Sequence, residues 1–173
     1  MPVQLTYSAD QQVGFPGLFR NLKRGAETIG VNGEASTEIP FGVFVKRKPG
    51  TDNGALLPSA ANDVLWGAVL HSHRYTPEYD VGPLGLKPGV GFGLAEGGDV
   101  LFRVEEAVAN GDPVYVRFAA KGGNTQRGAV RKTPDDGTTA TAFLLKGAKF
   151  RSAAQAGGLA YVEFDTFLNH VLG

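Results

Sequence analysis

The chain has 173 residues, which is the usual size of one domain with at most a modest extension. Its 17 basic and 17 acidic residues cancel, so it lacks the surplus of Lys and Arg that proteins use to neutralise nucleic-acid phosphates. It contains no cysteine, which excludes disulfides, thiolate metal sites and cysteine nucleophiles. We therefore expect no direct nucleic-acid partner.

The amino-terminal residues, MPVQLTYSADQQ, have neither a basic start nor an apolar run, so they do not form a signal peptide. No stretch approaches the ~20 consecutive apolar residues of a membrane helix. We expect synthesis in the cytoplasm and no membrane partner.

The least regular part of the sequence is its beginning, up to about Gly33. The segment 14–19 breaks any regular element with two glycines and a proline, yet it also carries Phe15, Leu18 and Phe19. Apolar residues in such a segment either tuck under the domain or dock on a neighbour, and both interpretations stay open at this point. The sequence predicts an irregular amino-terminal arm, residues 1–33, followed by a β domain, residues 34–173.

Short strand-like runs separated by turn residues recur through the rest of the chain. In most of them apolar and polar residues alternate, whereas the run 64–71 is largely apolar, as in a strand buried on both faces. The 25 glycines and 10 prolines supply turns between such runs. The prediction is a single all-β domain, either a β-sandwich of the jelly-roll type or a barrel. The predicted strands are 39–46, 64–71, 99–105, 113–118, 138–145 and 159–165.

The histidines offer one conceivable metal site. His71 and His73 would share a face of a strand, with Glu78 and Asp80 nearby. The same segment is also typical of a polar surface loop, which is the favoured interpretation. We therefore predict that the chain binds neither a metal nor a cofactor.

Other motifs that suggest catalysis also have simpler explanations. The glycine-rich segment 89–93 lacks the strand, helix and Gly-Lys-Ser/Thr context of a phosphate-binding loop, so it is predicted to be a turning loop. There is no G-x-S-x-G elbow for a serine nucleophile. Asp135 and Asp136 precede a glycine and indicate a turn, and Trp66 lies in an apolar run typical of a core. We predict that the chain is not an enzyme.

The segment that is most informative about family resemblance begins with Val104-Glu105-Glu106-Ala107-Val108. It continues with Gly111-Asp112-Pro113-Val114 and the rest of a strand up to Phe118. Taken by itself, it predicts a tight turn between two strands, with Glu105 and Glu106 as a solvated acidic pair that builds scaffold. The phrase also resembles a segment of the structural cement, or capsid decoration, proteins of tailed bacteriophages. The likeness continues through segments 128–131 and 150–164 and covers most of the chain from Ile39 onward.

This resemblance implies a structural virion protein that binds the outer surface of the capsid lattice and cements neighbouring major capsid protein subunits. It also implies a homo-oligomer, with a trimer favoured over a dimer. The alternative is a β-sandwich module on the virion that binds carbohydrate or a host surface. Apolar and Arg-containing clusters in irregular segments are typical contact anchors. The candidate interface residues are Phe15, Leu18, Phe19 and Arg20, and then Arg74, Tyr75 and Tyr79.

Overall fold

The structure, a computed structural model, describes residues 14–22, 27–71, 80, 82, 85–135 and 140–166. The elements in these ranges are all strands, which confirms the predicted all-β class. They are β1 (Phe19–Leu22), β2 (Glu27–Asn32), β3 (Phe44–Arg47), β4 (Gly54–Leu56), β5 (Leu65–Val69), β6 (Gly91–Ala95), β7 (Gly97–Arg103), β8 (Pro113–Arg117), β9 (Val130–Arg131), β10 (Ala142–Phe150) and β11 (Leu159–Asp165). No helix in the same ranges has the length and hydropathy needed to cross a membrane.

The strands form a closed barrel and an adjoining open sheet. The barrel has the order β2-β4-β3-β5-β6, and the six-stranded sheet has the order β1-β7-β11-β10-β8-β9. The chain passes from barrel to sheet at Glu96, the single residue between β6 and β7. Here the Trp66 indole N–H donates to Glu96 Oε1 at 2.7 Å, and the Thr166 N–H donates to the Glu96 carbonyl at 2.9 Å. These bonds fix the crossing point between the two sheets.

Two apolar cores result from alternation along the strands. In β3, Val45 belongs to the cluster of the barrel strands, whereas Phe44 belongs to the cluster shared with the six-stranded sheet. The Phe44 ring lies 4.8 Å from the rings of both Phe102 and Phe164, stacked on the first and edge-on to the second. Because fully burying a phenylalanine contributes roughly 1.5–3 kcal/mol, this trio joins the barrel firmly to the sheet.

The predicted strands 64–71, 99–105, 113–118 and 159–165 correspond to β5, β7, β8 and β11, whereas 39–46 is wrong before Phe44, where a turn precedes β3, and 138–145 overlaps β10 only from Ala142. All five residues of β5 are buried, as expected for the apolar run 64–71, and β11 has the predicted bounds 159–165. The expectation of a loop at 89–93 is wrong for its second half, because Gly91 to Gly93 belong to β6. Glycine has low strand propensity, so this strand depends on its pairing with β2 and β5.

The first two strands come from the predicted arm. β1 pairs with β7 in the sheet, and β2 pairs with β4 and β6 in the barrel. A truncation before Gly33 would therefore remove a barrel strand as well as the arm. The boundary between residues 33 and 34 stays a prediction, and residues 1–13 lie outside the described ranges.

A close backbone approach anchors the start of the chain. Gly17 has φ +82° and Gly42 has φ +65°, and a Cβ on Gly42 would lie 2.5 Å from the Gly17 nitrogen. The Gly17 N–H donates to the Leu101 carbonyl at 2.7 Å, and the Gly17 carbonyl accepts from the His71 N–H at 3.0 Å. Only glycine combines this conformation with this approach, so segment 14–18 is held against both sheets.

Candidate docking surface

Several large apolar side chains of the described residues are exposed to solvent. Single exposed apolar residues are normal on protein surfaces, but a contiguous group indicates an interaction site. Phe19 and Ile29 both line one groove, and Phe15 adjoins it through the His71 ring. The exposed fractions are 58% for Phe15, 48% for Phe19, 69% for Ile29, 52% for Val64 and 46% for Leu144.

The groove, called here the apolar groove, has a volume of about 790 Å³. Phe19 of β1 and Ile29 of β2 line it together with Leu70 and Val90. His71 also lines it, and the Phe15 ring stacks on the imidazole with a centroid distance of 5.4 Å and an interplanar angle of 17°. Strands of both sheets therefore contribute to one apolar surface.

Glycines form part of the groove. Gly91 and Gly93 of β6 line it, and they pair with Val31 and Ile29 of β2. Because successive side chains point to opposite faces of a strand, the neighbouring Phe92 and Leu94 turn into the barrel, where both are buried. The outer face of β6 consequently presents bare backbone beside the Ile29 side chain.

Among the described lining residues of the groove, the Asp, Glu, Lys and Arg side chains are of one kind only, acidic. Glu27 and Asp80 line it, and its described lining includes neither Lys nor Arg. The groove is therefore apolar with acidic groups at its border.

The predicted interface residues lie in different environments in the structure. Phe15 and Phe19 are exposed and belong to neither core cluster. Leu18 is half-buried, and its carbonyl accepts from the Leu101 N–H at 2.8 Å. Arg20 is exposed but pairs within the chain.

The Arg20 guanidinium contacts Asp99 Oδ2 at 3.0 Å and lies 4.5 Å from the centre of the Tyr161 ring. The candidates Arg74, Tyr75 and Tyr79 lie outside the described residues, so their role stays a prediction.

Ile29 is the residue that sequence reasoning missed. The run 27–32 alternates, with Glu27, Ile29 and Val31 on one face, but its outward positions include two apolar residues and its inward ones include Gly30 and Asn32. This inverted pattern conceals the strand. The available signal was an apolar residue directly after the polar pair Glu27 and Thr28.

The prediction that Glu105 and Glu106 form a solvated acidic pair is wrong for Glu105, whose side chain is only 8% exposed. Its two oxygens accept from Arg117 Nε at 2.6 Å and Arg117 Nη2 at 2.7 Å. Glu106 Oε1 accepts from the N–H groups of Lys132 and Thr133, each at 2.9 Å. The alternating pattern predicted Arg117 on a polar face, but that face is covered and the side chain is fully buried.

These groups form a larger cluster, called here the buried ion network, made of Glu105, Glu106, Arg117, Arg131 and Asp135. Arg117 Nη1 also contacts Asp135 Oδ2 at 3.1 Å, and Arg131 pairs with Asp135 and with Glu106. Arg117 Nη1 donates in addition to the Ala119 carbonyl at 2.9 Å. Because the carboxylates are held by guanidinium groups or backbone N–H groups, the network cross-links the strands β8 and β9 and does not present a free general base.

The turn at 111–113 is confirmed, since Gly111 has φ +92° and Asp112 Oδ2 accepts from the Ala109 N–H at 2.9 Å. It does not connect paired strands, however. β7 pairs with β1 and β11, whereas β8 pairs with β10 and β9.

No group of three His, Asp or Glu side chains suited to a metal ion occurs within the residues that the structure describes. His71 stacks with Phe15 and contacts Phe41 edge-on at 4.8 Å. His73 and Glu78 lie outside those residues, so the metal hypothesis is untested.

Trp66 is a core residue, as predicted, and is 5% exposed. The Arg47 guanidinium covers its ring at 4.1 Å.

The neighbouring Lys46 Nζ donates to both oxygens of Asp63 at 2.9 and 2.8 Å. Burial raises the pKa of Asp63, but the hydrogen bonds from Lys46 and from the N–H groups of Ser59 and Ala60 outweigh it and hold the pKa below its usual value of 3.8.

Comparison with known proteins gives a consistent result. The family model described as "Structural cement protein (E217 gp24/Pam3 gp6)" matches residues 3–165. The chain belongs to this phage cement protein family. Membership assigns it a structural, capsid-associated role and confirms the resemblance on which the sequence analysis relied. None of the curated proteins matches significantly.

A solved structure described as "The capsid of Myoviridae Phage XM1" contains a chain with the same fold. The TM-score is 0.63 at 14% identity, over 96% of this chain and 99% of that one. At this identity the likeness supports the fold alone, over nearly the full length of both chains.

Proposed function

We propose that this cement protein binds the outer surface of the phage capsid and holds neighbouring major capsid protein subunits together. The observation that carries the proposal is the exposed group Phe15, Phe19 and Ile29 around the apolar groove. Unlike the exposed Val64 and Leu144, these three side chains gather around one groove, and they belong to neither core cluster. Their exposure is what a docking surface requires.

Adhesion of this kind works without catalysis. A protein that binds the assembled lattice, and not separate subunits, stabilises the lattice by mass action. A homotrimer would multiply the effect, because its contacts with several subunits must break together before it is released. The carboxylates of the buried ion network are paired, which supports a non-enzymatic role.

The exposed side chains offer enough binding energy for such a role. Burial of a phenylalanine or isoleucine contributes roughly 1.5–3 kcal/mol, and a few such anchors dominate most interfaces. A stable interface buries about 1,200–2,000 Å² in total. Phe19 and Ile29 lie on strands of the folded core, so little conformational entropy is lost when they dock.

The test compares two serine substitutions of similar chemistry. Leu144 is 46% exposed, almost as much as Phe19, but it lies on β10 and does not line the groove. We expect wild-type protein to decorate emptied phage shells and to raise the temperature at which they come apart. Phe19→Ser should weaken shell binding about tenfold or more, whereas Leu144→Ser should bind like the wild type. A wild-type protein that does not bind shells, or two variants with equal affinity, would contradict the proposal.

One observation favours the carbohydrate or host-surface alternative, since Phe15 and Phe19 are exposed aromatic rings next to a groove. Against it, the Trp66 ring is covered by Arg47. Binding of the purified protein to a glycan array, without binding to shells, would select the alternative.

A further inference from the structure

Two glycines of β6 have no role that the described part of the chain explains. Gly91 and Gly93 do not adopt the left-handed conformation that favours glycine. A Cβ on Gly91 would have its nearest neighbour at 3.9 Å, and a Cβ on Gly93 would meet only ordinary contacts at 3.6 Å or more. Alanine would therefore fit at both positions without strain.

Other strand glycines of the barrel are different. A Cβ on Gly67 of β5 would lie 2.3 Å from the Ala95 carbonyl oxygen, and a Cβ on Gly30 of β2 would lie 3.0 Å from the Phe92 ring. Packing inside the chain therefore requires glycine at position 67, and at position 30 a larger residue would have to displace the buried Phe92 ring by a few tenths of an ångström. Gly91 and Gly93 avoid no such clash, yet they lower the stability of their strand, since glycine in a strand reduces the free energy of unfolding relative to alanine.

The place of these glycines suggests what they are for. They line the apolar groove, and Gly93 is the pairing partner of Ile29 on β2. The strip from Gly89 to Gly93 is roughly 13 Å long at the usual rise of a strand, which suits about four residues of extended chain. A glycine in a strand permits close approach of another chain, and the acidic Glu27 in the groove lining favours a partner with positive charge.

We propose that the apolar groove receives an extended segment of the major capsid protein, which places an apolar side chain over Gly91 and Gly93 and carries an adjacent Lys or Arg toward Glu27. This inference rests on the proposed function, because it names the part of the shell subunit that the docking surface recognises. The edges of β2 and β6 are already paired in the barrel, so the segment packs on the face of the strands and does not extend the sheet.

The test uses substitutions that should improve folding and impair binding. We expect Gly91→Ala and Gly93→Ala to raise the unfolding midpoint by roughly 1–4 °C or leave it unchanged. The same variants should bind emptied shells about tenfold more weakly, and Gly93→Val more weakly still. Gly123→Ala is the control, because a Cβ there would meet no described residue within 4 Å and Gly123 lies outside the groove; it should bind like the wild type.

The outcomes separate this inference from the proposed function. If wild-type protein binds shells and the Gly91 and Gly93 variants bind equally well, the groove inference fails and the cementing role survives. If either alanine variant is clearly less stable, the glycines serve the fold and the inference also fails. If the wild-type protein does not bind shells, the cementing role fails and the inference fails with it.

A cross-linking experiment identifies the occupant. A photoreactive benzoylphenylalanine in place of Ile29 should cross-link, on decorated shells, to a segment of the major capsid protein that has Lys or Arg beside an apolar residue. A cross-link to a second copy of this chain, or to a segment without a basic residue, would overturn the assignment.

Discussion

The buried ion network and the apolar groove depart from the usual distribution of residues in opposite ways. In the network, Arg117 is fully buried and Glu105 nearly so. In the groove, Phe19 and Ile29 are exposed. One region buries charge and the other exposes apolar surface, and both are unfavourable if left uncompensated.

The difference between them lies in where the compensation is found. Arg117 makes a bidentate pair with Glu105 and further contacts with Asp135 and the Ala119 carbonyl, all within the chain. The apolar groove has no such compensation among the described residues. A feature that the chain resolves by itself serves the fold, whereas one that it leaves open points to a partner.

The largest effect is expected in the network. Arg117→Ala removes the bidentate partner of the buried Glu105 and one of the two cations that contact Asp135, so it should lower the free energy of unfolding by about 3–5 kcal/mol. Arg103→Ala is the control, because Arg103 is exposed and donates only to the Gly157 carbonyl at 2.8 Å; its effect should stay within about 0.5 kcal/mol. Equal losses in denaturant unfolding would show that the network does not stabilise the fold.

A smaller effect is expected from the pair Lys46–Asp63, which is partly exposed, with side chains 18% and 15% accessible. The pKa of Asp63 is lowered in the folded state, so the stability that it contributes is complete above its unfolded value of about 3.8 and is lost as the pH falls through the lower folded value. Asp63→Asn should cost about 1 kcal/mol at pH 7.

The same substitution should reduce the fall in stability on acidification. Thermal unfolding of wild type and variant between pH 7 and pH 3 measures both quantities. Parallel curves, with the variant losing as much stability below pH 4 as the wild type, would rule out this role for Asp63.

Strands with a clear pattern could be predicted from the sequence, and those that depend on neighbours could not. β11 alternates strictly and β5 is apolar throughout, and both were found. β6 contains two exposed or half-exposed glycines, and β9 has only two residues. Such strands exist because adjacent strands pair with them, and pairing partners distant in sequence are invisible to local periodicity.

The candidate surface was predictable only in part. Phe15 and Phe19 stand out because they are aromatic residues among turn residues. Whether they would be buried could not be decided, since that depends on how segment 14–18 docks through Gly17 and Gly42. The burial of Arg117 could not be predicted either. The alternating pattern of its strand places Arg117 on a polar face, but it does not reveal that Glu105 and Asp135 cover that face.

The most direct measurement of the central claim is hydroxyl-radical footprinting of the protein, free and on decorated shells, read by mass spectrometry. The claim predicts that Phe15, Phe19 and Ile29 are oxidised in the free protein and protected on the shell, while Leu144, also exposed in the free chain, stays reactive. Shell-bound protein in which Phe19 and Ile29 remain as reactive as in solution would contradict the claim that this groove faces the capsid.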